Sequence, residues 1–162
     1  MLNSKLLLYI GRNSITFTFL ILLLLFIITK KQHIIFLLIL LICSEMLNSF
    51  FKNISERIMK NNNFPIIGKG TRPLPKLKSY GMPSGHSQYM ATFSTFLVLL
   101  IYNSNTINKN HKIIYYIVLS LMTIYVMYER VYEKFHTIQQ TIVGMFIGIL
   151  IGFIGFNIYV SF

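Results

Sequence analysis

The chain has 162 residues, of which 54% are hydrophobic and only 12% charged, with 15 Lys and Arg against 4 Asp and Glu. That composition excludes a soluble globular domain, and a single cysteine, Cys43, excludes an internal disulfide. The net charge of +11 favours anionic partners, which for so apolar a chain means groups at a membrane surface. Hydropathy picks out five apolar segments: Asn13 to Thr29, Ile34 to Phe51, Gln88 to Tyr102, Ile113 to Tyr128 and Thr137 to Tyr159. Each approaches the ~17 to 25 residues that cross a bilayer. The expected fold is therefore an all-α, integral membrane helical bundle of about five transmembrane helices in one multi-pass domain over residues 1–162.

No small-residue cleavage site follows the first segment, so Met1 to Ser14 is expected to lead into a retained helix. That first helix is apolar all round and reads as a lipid-facing anchor. The second holds Glu45, Asn48 and Lys52, spaced three and four apart on one helical face. An acid inside a span demands a partner, and bracing of the following loop is the expected role of Glu45. Cys43 is expected to be a small buried filler in this span. The polar stretch from Lys52 to His86 is strongly basic, and within it Arg72 precedes Pro73, which stiffens a guanidinium fork suited to phosphate oxygens.

At Gly81-Met82-Pro83-Ser84-Gly85-His86-Ser87-Gln88, turn chemistry meets a helix start. Pro83 suits the first helical position, and the N–H groups from Ser84 onward would be uncovered, giving an anion site with His86 beside it. The Asn-rich link Asn103 to Lys112 carries nothing that suggests chemistry, and His111 there reads as a solvated loop residue. After the fourth segment come Glu129, Arg130 and His136, with Gln140 four positions further on the start of the last helix. That spacing lets Gln140 accept from one ring nitrogen of His136 and leaves the other as an acceptor or nucleophile. Gly144, Gly148, Gly152 and Gly155 form a small-residue stripe that lets a neighbouring helix approach closely.

Five spans place the N-terminus, the stretch Lys52 to His86 and the link Glu129 to His136 on one face of the membrane. All the candidate chemistry shares that face. It also carries eleven of the 15 Lys and Arg, which by the positive-inside rule would make it cytoplasmic. Asn53-Ile54-Ser55 on the same face is a glycosylation sequon.

Arg72-Pro73, then Pro83-Ser84-Gly85-His86, then Arg130 with His136 resembles the three-part signature of the type 2 phosphatidic acid phosphatase superfamily. The run Tyr80 to Gln88, the pattern Arg130-Val131-Tyr132 with His136-Thr137 and Gln140, and Glu45, Asn48 and Lys52 are most similar to the dolichyl diphosphatase branch. The resemblance covers about residues 45–155. It implies that His136 attacks the terminal phosphorus, that His86 protonates the leaving oxygen, and that Gln140 orients His136. It further implies that Arg72, Arg130, Ser84, Gly85 and a lysine hold the phosphoryl oxygens. No metal or other cofactor is implied. The implied partners are a lipid diphosphate or monophosphate and the membrane, with no nucleic acid. The implied place is the endoplasmic reticulum with the active face luminal, against the charge count.

Three positions depart from the superfamily's pattern. Its first motif has Lys seven positions before Arg, where Pro65 stands here, so Lys52 or Lys69 must take that role. Glu129 stands where Ser is usual, and a carboxylate there weakens anion binding unless it points away. Gln140 stands where Asp is usual, and a neutral partner stabilises a cationic ring less. Two further readings stay open beside the diphosphatase: a broader phosphatidate-type lipid phosphatase, and a catalytically lapsed protein that binds anionic lipid or acts as a scaffold.

Overall fold

The computed structural model describes residues 4–59, 71–74 and 80–162. Its elements are α1 (Ser4–Arg12), α2 (Ser14–Thr29), α3 (Gln32–Met59), α4 (Gly85–Asn103), α5 (Lys109–Tyr132) and α6 (Ile138–Val160), with no strand among the described residues. The helices α3, α5 and α6 are each long and apolar enough to cross a membrane, while α2 is apolar but has 16 residues. Helix α4 is the central one. Its first half, with Ser87, Gln88, Thr92 and Ser94, is enclosed by protein, so its polar side chains find partners on neighbouring helices rather than facing lipid.

Two boundaries differ from expectation. The stretch taken as lead-in forms α1, which docks on α5 because Gly11 has no side chain to collide with Glu129. Helix α3 continues past Phe51 to Met59, so Lys52, Arg57 and the sequon Asn53-Ile54-Ser55 are helical instead of lying in a loop. Ile54 and Ile58 stand one turn apart on this extension, which contains neither Gly nor Pro, so nothing in it stops the helix. Cys43 is exposed on the outer face of α3 rather than buried. It neighbours the buried Ser44, and the face that packs inward is already set by Leu41, Ser44 and Asn48.

Backbone approach between α4 and α6 sets the architecture. A methyl group added at Gly144, Gly148 or Gly152 would overlap the carbonyl oxygens of Ser84, Gln88 and Thr92 respectively, and one at Gly155 would strike Leu40 of α3. Three successive turns of α6 thus ride directly on three successive turns of α4. A second tie is polar. Gln88 donates to the Ser44 carbonyl (2.7 Å) and accepts from Asn48 (2.9 Å), and Thr92 lies 3.2 Å from the Ser44 hydroxyl. These four residues are at most 1% exposed, so a satisfied network fixes the rotation of α3 against α4.

At the opposite end of the bundle, Phe96 packs against Phe36, Phe156 and Tyr159. Lys112 closes the α4–α5 link onto the Tyr102 carbonyl (2.8 Å). All the polar chemistry is gathered at the other end, where Arg12, Arg72, His86 and His136 meet, as the count of five spans requires.

Gly148→Leu should push α4 and α6 apart and lower the unfolding free energy by at least about 1–3 kcal/mol, the usual cost of overpacking. Leu150→Ala, on the exposed face of α6, should stay within ~0.5 kcal/mol. Thermal unfolding of both variants in one detergent checks this, and equal Tm values would contradict the seam described above.

Candidate active site

Ser84 is the N-cap of α4 and Gly85 its first helical residue, so Pro83 precedes the cap instead of occupying the first helical position. The expectation for Ser84 needs correcting too. Its N–H donates to the Gln140 carbonyl (3.0 Å) and its own carbonyl accepts from Gln88 N–H (3.0 Å), while its hydroxyl accepts from Ser87 (3.1 Å). Helix geometry leaves the N–H groups of Gly85, His86 and Ser87 without intrahelical acceptors, and these define the anion-binding end of α4. The Ser84 N–H is an anchor, while its hydroxyl proton and the N–H groups of its neighbours remain as candidate donors.

His136 lies in the turn between α5 and α6 and is 3% exposed. Its N–H donates to the Arg130 carbonyl (3.1 Å), and Nδ1 lies 3.1 Å from Gln140 Oε1. The same Oε1 accepts from Thr137 N–H (3.3 Å), and the Thr137 hydroxyl accepts from Gln140 N–H, which makes a capping box at the start of α6. On the other side of the ring, Nε2 is 3.3 Å from Arg72 Nη1. A guanidinium only donates and an amide oxygen only accepts, so the neighbours assign the proton to Nδ1 and the lone pair to Nε2. Burial, then the Arg72 charge, push the ring down to about 3 against the hydrogen bonds to Gln140 and Gly81. His136 is therefore a neutral imidazole at neutral pH with its nucleophilic nitrogen facing a cation.

Gln140 does more than orient His136. Its Nε2 donates to the Thr71 carbonyl (2.9 Å), the residue before Arg72, so one amide fixes both the ring and the backbone that carries the guanidinium. Gly81 is what makes room, because a Cβ there would overlap the Gln140 amide. Arg72 Nη1 also donates to the Phe135 carbonyl (3.4 Å).

Arg130 is buried, with Nε bonded to the Glu129 carboxylate and its guanidinium 4.8 Å from the centre of the Phe135 ring. Glu129 does not point away. It is fully buried against Gly11 and takes the Nε edge of Arg130, whose Nη2 has no hydrogen-bond partner among the described residues. Lys52 reaches the site from α3: its Nζ is 3.7 Å from where a Cβ on Gly85 would stand, beside Asn48 Oδ1 at 3.0 Å. The extra turns of α3 carry Lys52 to this point from twenty residues before Arg72. Lys69 lies outside the described residues.

His86, in the first turn of α4, is half-buried, and its Nε2 lies 3.1 Å from the Arg12 carbonyl. Arg12, Glu133 and Phe135 form a rim that the sequence reading passed over. Arg12 sits in a segment taken as lead-in, and only its charge, unusual beside so apolar a run, marks it. His136, Gln140, Arg72, Arg130, Lys52, Gly85 and His86 are thus brought to one end of the bundle. Three cations and the helix N-terminus surround two imidazoles, an arrangement that suits a phosphoryl group and repels a divalent metal ion.

The model of the PAP2 superfamily matches residues 32–161. The chain is 34% identical over 115 residues to a dolichyldiphosphatase of Saccharomyces cerevisiae, covering 70% of this chain and 48% of that one. It is 39% identical over 84 residues to dolichyldiphosphatase 1 of Dictyostelium discoideum, covering 50% of this chain and 36% of that protein. The chain thus spans about half the length, or less, of the curated relatives it matches. In fold it is similar to a PAP2-type phosphatidylglycerolphosphate phosphatase of Bacillus subtilis, with a TM-score of 0.71 at 21% identity over 97% of this chain and 75% of that one. Aquifex aeolicus LpxE gives 0.53 at 24% identity over 94% and 82%. With most of its length inside the family's pattern and the fold of a family member, the chain belongs to the PAP2 superfamily.

Proposed function

We propose that this chain is a membrane lipid phosphatase that removes the terminal phosphate of a polyprenyl or dolichyl diphosphate through a phosphohistidine on His136. One observation carries the reading: His136 is held by Gln140 with its Nε2 lone pair toward Arg72, at the N-terminus of α4. Phosphate oxygens would draw the Arg72 N–H away from Nε2, and the guanidinium that masks the nucleophile would then bind the electrophile. Arg130 Nη2, Lys52 and the Gly85, His86 and Ser87 N–H groups supply further donors. Little else is needed, because phosphoryl transfer depends mainly on position and charge.

In the first step Nε2 of His136 bonds to the terminal phosphorus while the phosphorus–bridging oxygen bond breaks, and His86 gives that oxygen a proton. Water then attacks the phosphorus, His86 takes its proton, and the P–N bond opens to release phosphate. His136→Ala and His86→Ala should each lower turnover at least about 100-fold with Tm unchanged, and EDTA should leave the wild type active. Wild-type turnover in either variant, measured as phosphate release, would overturn the histidine mechanism, and a wild type that releases no phosphate would favour a lapsed lipid-binding role.

A diphosphate offers these cations more oxygens than a monoester does. One added charge-assisted contact, worth roughly 1.4 kcal/mol, raises kcat/KM about tenfold. Polyprenyl diphosphate should therefore beat phosphatidate by tenfold or more in mixed micelles. Equal or reversed preference would favour the broader phosphatidate-type reading.

The names of the two curated relatives favour a place in the endoplasmic reticulum, and the resemblance to the dolichyl diphosphatase branch argues for the basic end in the lumen, against the positive-inside count. A glycosylation acceptor inserted between Asn103 and Lys109, at the opposite end, should then stay unmodified in microsomes, and its modification would reverse the orientation.

A further inference from the structure

Helix α1 ends at Arg12 and the chain turns at Asn13 into α2. This corner touches the site rim in several places. The Arg12 carbonyl lies 3.1 Å from His86 Nε2, and its guanidinium pairs with Glu133 (2.7 Å) and lies 5.7 Å from the centre of the Phe135 ring. The same ring receives Arg130, and buried Gly11 lets the corner settle directly on Glu129. A carbonyl oxygen only accepts, so the proton of this hydrogen bond is on His86 Nε2. Burial first, and then the cations Arg130 of α5, Lys52 of α3 and Arg72, oppose a protonated ring and push it down to about 4. Glu129 and Glu133, the nearby acids, are engaged by Arg130 and Arg12. The Arg12 carbonyl is the group that favours the proton.

We propose that the α1–α2 corner is a positioning element of the active site, in which the Arg12 carbonyl holds the His86 ring by Nε2–H and the Arg12–Glu133 pair clamps the corner in place. The proposal rests on the general-acid role given to His86 above. It assigns the two ring nitrogens separate tasks. The doubly protonated ring keeps Nε2–H on Arg12 and passes Nδ1–H to the bridging oxygen as the phosphorus–oxygen bond breaks. The neutral ring left behind is the Nε2–H tautomer, held by the same bond, and Nδ1 later takes the proton of the attacking water. His86 and His136 are thus used in opposite senses: a fixed acceptor meets Nε2 in one and Nδ1 in the other.

The experiment labels the four histidines with 15N in the full chain in micelles and reads their ring nitrogens from about pH 2.5 to 8, a range that brackets the His86 ring near 4. His86 should be found as the Nε2–H tautomer when neutral. In Arg12→Gln and in Glu133→Gln it should become a tautomer mixture that loses its proton at lower pH, with kcat down about 2- to 5-fold and KM unchanged, the scale of an exposed ion pair. The acid limb of kcat should move with the ring. Arg12→Lys, which keeps the charge opposite Glu133, should retain the wild-type spectrum. An Nδ1–H tautomer in the wild type, or ring signals and a pH profile unchanged in both Gln variants, would overturn the proposal. The ring spectra are read without turnover, so they decide the corner's hold on His86 whether or not His86→Ala keeps activity.

Discussion

Contact of α6 with the α4 backbone is the constraint on which the site depends. Gly144 sits on the Ser84 carbonyl, and one turn away the Gln140 carbonyl receives the Ser84 N–H. The N-cap of α4 is therefore bonded to the residue that orients His136. A side chain at position 144 would separate the anion-binding helix end from the nucleophile by the width of a methyl group, and catalytic geometries tolerate little more than about 0.5 Å. In lipid the seam gains nothing from expelling water, so shape must supply the packing energy, and glycine is the residue that permits it.

The electrostatics follow from what this seam encloses. Arg72, Arg130 and Lys52 converge on one end of the bundle, and among the described residues Glu129 faces Arg130 from inside while Glu45 acts on Lys52. Such a cluster is unfavourable until an anion arrives, which makes a phosphate-bearing lipid its natural counterpart. Burial first, and then Arg72 and Lys52, keep the His136 imidazole neutral, which is the form the proposed nucleophile needs. A single arrangement thus suits both the phosphate binding and the nucleophile proposed above.

Much of this was legible in the chain. Motif residues separated by more than fifty positions were placed on one face by counting spans, and the glycine period identified the close-packed face of α6. The misses have a common cause, since each depends on where backbone atoms fall in three dimensions. Whether Pro83 or Gly85 opens α4 is a matter of two residues, yet it decides that the Ser84 N–H anchors α6 instead of binding phosphate. Hydropathy ended the second segment at Phe51 because apolar character fades there, while the helix runs on and brings Lys52 to Gly85. No pattern in residues 4–12 announces that their last carbonyl meets His86. A backbone acceptor carries no residue type for a sequence to display.

Gln140 shows how a departure from a family pattern can have a positive reason. Judged against an aspartate, a neutral amide forfeits attraction for a ring that becomes cationic once its Nε2 bonds to phosphorus. An aspartate, however, has only acceptors. The amide offers Oε1 to His136 and Thr137 and still has an N–H for the Thr71 carbonyl, so it ties the α6 cap, the nucleophile and the Arg72 backbone into one unit. Lys52 arrives on α3 from twenty residues upstream, and the backbone before Arg72 is tied separately, to the last helix. The donor of Gln140 holds that backbone, while the Arg72 charge opposes a cationic ring and does not replace the missing carboxylate.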